Sequence, residues 1–98
     1  MALLDDLVRR TLQFGGSDLH LEPGLPAALR VDGRLRTLGE PVAGSALLAE
    51  ARRLLPGARW TEFATRRSAD LSRTLGGARC RINVLHSSRG VGFAVRLL

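Results

Sequence analysis

The chain has 98 residues, 45% of them hydrophobic and 4% aromatic, and a formal charge of +6. That length suits one domain with one core, burying about 60–65% of its unfolded surface. The hydrophobic content excludes a disordered chain, and no apolar run approaches the ~18 residues that a membrane span needs.

All fifteen basic residues are arginine. Arginine's planar fork suits carboxylate and phosphate partners, although a GC-rich coding bias produces the same composition. Cys80 is the single cysteine, so an internal disulfide is excluded, and no metal-ligand spacing is present. Asp5 and Asp6 interrupt the start, which therefore does not read as a signal peptide. A reducing cytoplasm is the expected setting.

Leu3, Leu4, Leu7, Val8, Thr11 and Leu12 recur at helical spacing. Asp5 and Asp6 early and Arg9 and Arg10 later follow the order that the helix dipole favours. Gly15-Gly16 stops this helix. From Ser17 to Leu21 the pattern alternates, with Leu19 and Leu21 on one face and Asp18 and His20 on the other, which predicts a half-buried strand.

Pro23-Gly24-Leu25-Pro26 is a rigid turn, and residues 28–31 and 34–38 form a hairpin around Asp32-Gly33. A two-residue loop there sets Leu29 opposite Arg36, mismatching the apolar faces. A three-residue loop with Gly33 left-handed sets Leu29 opposite Leu35, and this bulged hairpin is the expectation.

Gly44-Ser45 offers a cap for a helix carrying Leu47, Leu48, Ala51, Leu54 and Leu55, which Pro56-Gly57 ends. Trp60, Phe63 and Ala64 predict a short helix closing over the sheet. Strands follow at residues 69–74, 78–85 and 90–97, the first two joined by Gly76-Gly77. Three helices and about six strands with tight turns predict an α+β domain: an antiparallel sheet with helices on one face.

The last hairpin carries the densest charge. A turn centred between Ser87 and Ser88 pairs Val84 with Val91, Ile82 with Phe93 and Cys80 with Val95, all on one face. The other face holds Arg79, Arg81, Asn83 and Arg96, with Arg79 opposite Arg96. Like charges across a strand pair are destabilising unless something answers them. The face is either solvated or answered by an acid in this chain, an acidic partner surface or a bound phosphate, and the sequence alone names no such acid.

Asp18 and His20 share a strand face, but no nucleophile is placed beside them, and a surface or interface role is expected. Cys80 points to the core and His86 to the solvated hairpin tip. Gly15-Gly16 and Gly76-Gly77 lack the strand-loop-helix context and Lys-Ser/Thr ending of a phosphate loop. With no lysine in the chain, ATP hydrolysis by these 98 residues alone is not expected.

An ordered set of motifs then points further. These are Gly16-Ser17-Asp18-Leu19-His20-Leu21, Gly24-Leu25-Pro26, Leu29-Arg30-Val31-Asp32-Gly33, Ala69-Asp70-Leu71-Ser72, Ala78-Arg79-Cys80-Arg81-Ile82-Asn83-Val84 and Arg89-Gly90-Val91. In order and spacing they resemble the N-terminal domain of the type IV pilus and type II secretion ATPases. Gly24-Leu25-Pro26 and Arg81-Ile82-Asn83-Val84 lean toward the pilus retraction branch. Glu22-Pro23 leans toward the extension and secretion branch. The family's acidic residue before Ala69-Asp70-Leu71-Ser72 is replaced by Ser68.

The resemblance implies a PAS-like domain over residues 1–98 that precedes a RecA-like ATPase domain in a homo-hexameric ring at an inner-membrane platform. It implies packing on the ATPase domain of the same or a neighbouring subunit. It further implies arginines near that domain's nucleotide: Arg81 first, then Arg79, with Arg96, Arg89, Arg66 and Arg67 behind them. Asp18, His20, Asp32 and Asn83 are interface or structural polar residues in this reading. ATP and magnesium belong to the parent and no cofactor to this stretch, which ends where the ATPase domain is expected to begin. The alternatives are a freestanding PAS-like interaction module and, less favoured, a basic nucleic-acid binder. The arginines lie on several elements with no interleaved aromatic residues, so nucleic acid is not the expected partner.

Overall fold

The computed structural model describes residues 2–98. Three helices and six strands follow in the order α1 (Leu3–Gln13), β1 (Gly16–Leu21), β2 (Pro26–Val31), β3 (Arg34–Pro41), α2 (Gly44–Leu54), α3 (Ala58–Arg66), β4 (Ser68–Leu75), β5 (Ala78–Ser87) and β6 (Gly90–Leu97). The strands form one antiparallel sheet in the order β3-β2-β1-β6-β5-β4. The first three strands thus form one half and the last three the other, joined where β1 lies beside β6. The α+β expectation is met.

Period-2 alternation explains why one sheet face is buried. Leu19 and Leu21 on β1, Leu71 and Leu75 on β4, Cys80, Ile82 and Val84 on β5, and Val91, Phe93 and Val95 on β6 all point under the helices. Leu4, Leu7 and Val8 of α1, Leu47, Ala51 and Leu54 of α2, and Phe63 of α3 meet them in one cluster. Each fully buried leucine or phenylalanine in that layer contributes roughly 1.5–3 kcal/mol. The layer therefore outweighs the exposed ion pairs, each worth at most about 1 kcal/mol. Among the described residues, no helix covers the opposite face of the sheet.

The helix ends hold two surprises. Ser45 does not cap α2: Ala43 is the N-cap residue, with no side-chain cap bond. At α1, Ala2 likewise gives no side-chain cap. Instead Glu50, buried on α2, accepts the backbone N–H of Leu4 at 2.7 Å. Arg53 donates to both Glu50 oxygens, at 2.9 and 3.2 Å, and to Asp5 Oδ2 at 3.1 Å. A charged cap borrowed from a neighbouring helix satisfies an otherwise orphaned donor and complements the dipole.

Two hairpin registers differ from expectation. Asp32 and Gly33 alone form the β2–β3 loop, with φ of 51° and 76°, so Leu29 does lie opposite Arg36. This is the primed turn that suits strand twist. The mismatch is tolerated because β3 is an edge strand: the Arg36 guanidinium sits 5.6 Å from the centre of the Phe14 ring, and Leu35 is left exposed on the helix-free face.

In the last hairpin, Ser88 and Arg89 form the loop. Val84 pairs with Phe93, Ile82 with Val95, Cys80 with Leu97 and Arg81 with Arg96. The pairing is shifted by two residues from that read in the sequence, and Arg79 is not opposite Arg96. A two-residue shift keeps every side chain on its face, so the apolar pattern could not discriminate. The turn decides: the Ser87 hydroxyl accepts the Arg89 N–H at 3.2 Å, and Gly90 adopts a φ of 123°.

Candidate functional site

The helix-free face is built of rungs that run across the strands. One rung reads Arg30 on β2, Asp18 on β1, Arg96 on β6, Arg81 on β5 and Ser72 on β4. The next reads Ala28, His20, Ala94, Asn83 and Asp70. Five of the residues singled out in the sequence therefore converge: Asp18, His20, Arg81, Asn83 and Arg96 line one shallow depression of about 470 Å³. Small residues at Ala94 and Ala28 form part of its floor and that of its neighbour.

The depression has an uneven charge. Arg96 donates from Nε to Asp18 Oδ1 at 3.1 Å, so an acid within the chain answers one of its arginines. Of the answers left open by the sequence, an acid in the chain is the one found for Arg96, and the acid that the sequence did not name is Asp18. The sequence did not name it because Asp18 and Arg96 are 78 residues apart and meet only through the β1–β6 pairing. The Asp18 carboxyl is held below the ordinary aspartate range, first by the Ser17 hydroxyl at 2.7 Å and then by Arg96, against the opposing effect of burial.

Asn83 donates to Asp70 Oδ1 at 3.1 Å, which occupies the other acid of the depression. Arg81 stands between Arg96 and Ser72, exposed, with no hydrogen bond or ion pair among the described residues. It is the uncommitted cation of this face. The depression can therefore hold a negatively charged group beside Arg81, while Asp18 engages Arg96 across the β1–β6 pair. His20 and Ser72 lie on β1 and β4, three strand spacings or about 14 Å apart, too far for a nucleophile and base pair.

The remaining arginines are placed elsewhere. Arg79 shares the face of Arg81 but lies towards the sheet end, where it reaches Thr74 Oγ1 at 3.5 Å. Arg89 sits at the β5–β6 tip, 3.9 Å from Glu22. Arg66 pairs with Glu62 along α3, and Arg67 ends that helix with a φ of 64°. Asp32 is a turn residue. None of these five joins the depression around Arg81.

Beside it lies a second depression of about 520 Å³, reaching past Gly92 to the exposed side chains of Leu25, Leu35 and Leu85. Sequence reading missed it, because its leucines come from a loop and two distant strands. Gly92 is needed there: a Cβ at that position would approach the Leu21 carbonyl oxygen to 2.8 Å.

Two other polar residues complete the inventory. Cys80 is buried, and burial raises its thiol pKa, in keeping with inert packing. His86 is not at a solvated tip: its ring stacks on Phe63 at 6.1 Å, and its N–H meets the Arg67 carbonyl at 2.9 Å.

No family model matches the chain. In sequence it is 30% identical over 97 residues to the type IV pilus retraction ATPase PilT of Pseudomonas aeruginosa, covering 97% of this chain and 28% of that protein. In fold it is similar to the pilus retraction motor PilT solved with bound ADP, with a TM-score of 0.79 at 21% identity over 95% of this chain and 28% of that one. The ATPase DotB of Legionella pneumophila gives a TM-score of 0.80 at 16% identity, covering 97% of this chain and 28% of that one. DotB of Yersinia pseudotuberculosis gives 0.76 at 19%, covering 99% and 30%. The chain thus spans somewhat over a quarter of the length of each. The resemblance read from the motifs, to the N-terminal part of the pilus and secretion ATPases, is met in sequence and in fold.

Proposed function

We propose that the chain is the PAS-like N-terminal regulatory and assembly domain of a hexameric type IV pilus or type II secretion motor ATPase. In this reading the helix-free sheet face docks on a neighbouring ATPase domain at the cytoplasmic side of the inner membrane. ATP and magnesium belong to that domain, and PilT, which has been solved with ADP, supplies the precedent for a nucleotide.

One observation carries the reading: among the described residues, Arg81 is an unpaired guanidinium in the centre of a sheet face that no helix covers. An arginine so placed stabilises phosphate charge across a domain boundary and couples domain position to nucleotide state. Its neighbours fit the role. Asp18 neutralises Arg96 on one side, so Arg81 is the arginine of the depression whose charge no acid answers. The leucines of the adjoining depression provide apolar contact for the docked domain.

The test is made in a motor ATPase that carries this domain. Arg81→Ala is expected to lower ATP turnover about 10²-fold, the size of losing one charge-stabilising donor, or to prevent ring assembly. Arg79→Ala is expected to do less, because Arg79 already leans on Thr74. Unchanged turnover together with unchanged assembly in Arg81→Ala rules out the assigned role.

A further inference from the structure

The two edges of the sheet are finished differently. On β4 the ladder closes on a two-residue turn, so the backbone groups of Asp70 and Ser72 point outward. Arg59 donates to the Asp70 carbonyl at 3.2 Å and Arg73 to the Ser72 carbonyl at 3.0 Å. Guanidinium groups thus occupy the acceptors that another strand would need.

No such cover exists on β3. Its ladder also closes on a two-residue turn, so the N–H and C=O of Leu35 and Thr37 point away from β2. No hydrogen bond among the described residues reaches them. Exposed apolar side chains flank this edge on both faces: Phe14 on the helix side, 46% exposed and beside Arg36, and Leu35 on the other at 60%. Open strand edges with apolar flanks pair with other chains unless they are blocked.

We infer that β3 is the interface through which a second copy of this chain adds, joining two sheets across their β3 edges. The charge pattern selects the register. Antiparallel pairing about a twofold axis at Thr37 brings the Arg34 end of each strand to the Glu40 end of its mate and sets Arg36 beside Leu38. Both Arg34 and Glu40 are exposed and unpaired among the described residues. Pairing about Leu35 instead sets Arg34 against Arg36, a like-charge contact that is unfavourable. The same charges that deter wrong neighbours thus fit a copy in one alignment. This edge is separate from the Arg81 face, so one molecule can use both.

Sedimentation and hydrogen exchange on the 98-residue chain test the inference. The mass is expected to rise from monomer towards dimer over roughly 10 µM to 1 mM, the span of a weak small interface. Over the same range the Leu35 and Thr37 amides are expected to exchange more slowly. Thr37→Pro removes an outward N–H without touching the β2 ladder and is expected to weaken the dimer at least about tenfold. Arg34→Glu is expected to weaken it about tenfold, and adding Glu40→Arg to restore it to within about threefold. A chain that stays monomeric at 1 mM, a dimer indifferent to Thr37→Pro, or a failed charge swap overturns the proposal. If circular dichroism finds Thr37→Pro unfolded, the charge swap and the exchange measurement decide instead.

Discussion

Glu50 Oε1 lies 2.7 Å from the backbone nitrogen of Leu4, so a carboxylate on α2 caps the N-terminus of α1. The two residues are 46 positions apart, and the bond fixes the first helix of the chain to the second. Arg53 completes the link by bridging Glu50 and Asp5. Replacing Glu50 with Ala leaves the Leu4 N–H and one side of Arg53 unanswered in a mostly buried place. A loss of about 2–3 kcal/mol is expected, the range for a hydrogen-bonded buried charge. Glu50→Gln keeps an acceptor for Leu4 and is expected to cost about half as much. Urea denaturation of the two variants checks both the size and the order.

The same carboxylate sets an acid limit. Burial pushes the Glu50 pKa up, but the bonds from Arg53 and the Leu4 N–H outweigh it and hold the group below its ordinary value. A depressed folded value means that the contribution is complete above the unfolded pKa of about 4.3 and is lost as pH falls through the folded one. Asp18 is depressed in the same sense. Stability is therefore expected to be flat from neutral pH down to about 5 and to fall below 4. In Glu50→Gln the fall should be shallower; an identical acid profile in that variant disproves the assignment.

Much of this architecture was legible because burial leaves a period in the sequence. The spacing of Leu3, Leu4, Leu7 and Val8 marks α1, and the alternation from Ala78 to Val84 marks β5. Periodicity fixes the face of a residue but not its partner. That is why the last hairpin could slide by two residues and place Arg79 instead of Arg81 opposite Arg96. It is also why the β2–β3 loop was misjudged: an apolar match across the pair is no constraint on an edge strand, where Arg36 rests on Phe14. Of the candidate site, Arg81, Arg96, Asp18, His20 and Asn83 were all named, and their common face followed from alternation. Their relative positions required the β1–β6 contact, which no local signal announces. Glu50 was passed over because a charged residue beside an apolar stripe usually reads as solvated.

Asp18→Asn separates charge from stability on the helix-free face. The Arg96 side chain in this pair is 71% exposed, so removing the ion pair is expected to cost at most about 1 kcal/mol. The face, however, gains one net positive charge next to Arg81. Chemical-shift titration with inorganic pyrophosphate at low salt is expected to show tighter binding to Asp18→Asn than to the native chain. Arg81→Ala is expected to bind more weakly than either. Equal affinities for all three would show that Asp18 and Arg81 do not act on a common anion position.

Gly76 and Gly77 look equivalent in sequence and differ in the fold. Both have left-handed φ, 55° and 88°, in the two-residue turn between β4 and β5. Alanine at Gly77 meets nothing within 4 Å, so only backbone strain opposes it, about 1 kcal/mol. Alanine at Gly76 would drive its Cβ into the Asp5 carbonyl oxygen and the Arg9 nitrogen of α1. Those are backbone atoms of a packed helix and cannot swing aside. Gly76→Ala must therefore displace the helix that Glu50 holds in place, and a cost of about 3 kcal/mol or more is expected. Thermal unfolding of the two variants side by side tests this. For a domain of this size each kcal/mol lowers Tm by about 4–8 °C, so a gap of roughly ten degrees should separate them. Comparable melting temperatures would mean that α1 yields to the added methyl, and that its seat on the β4–β5 turn is looser than the contact implies.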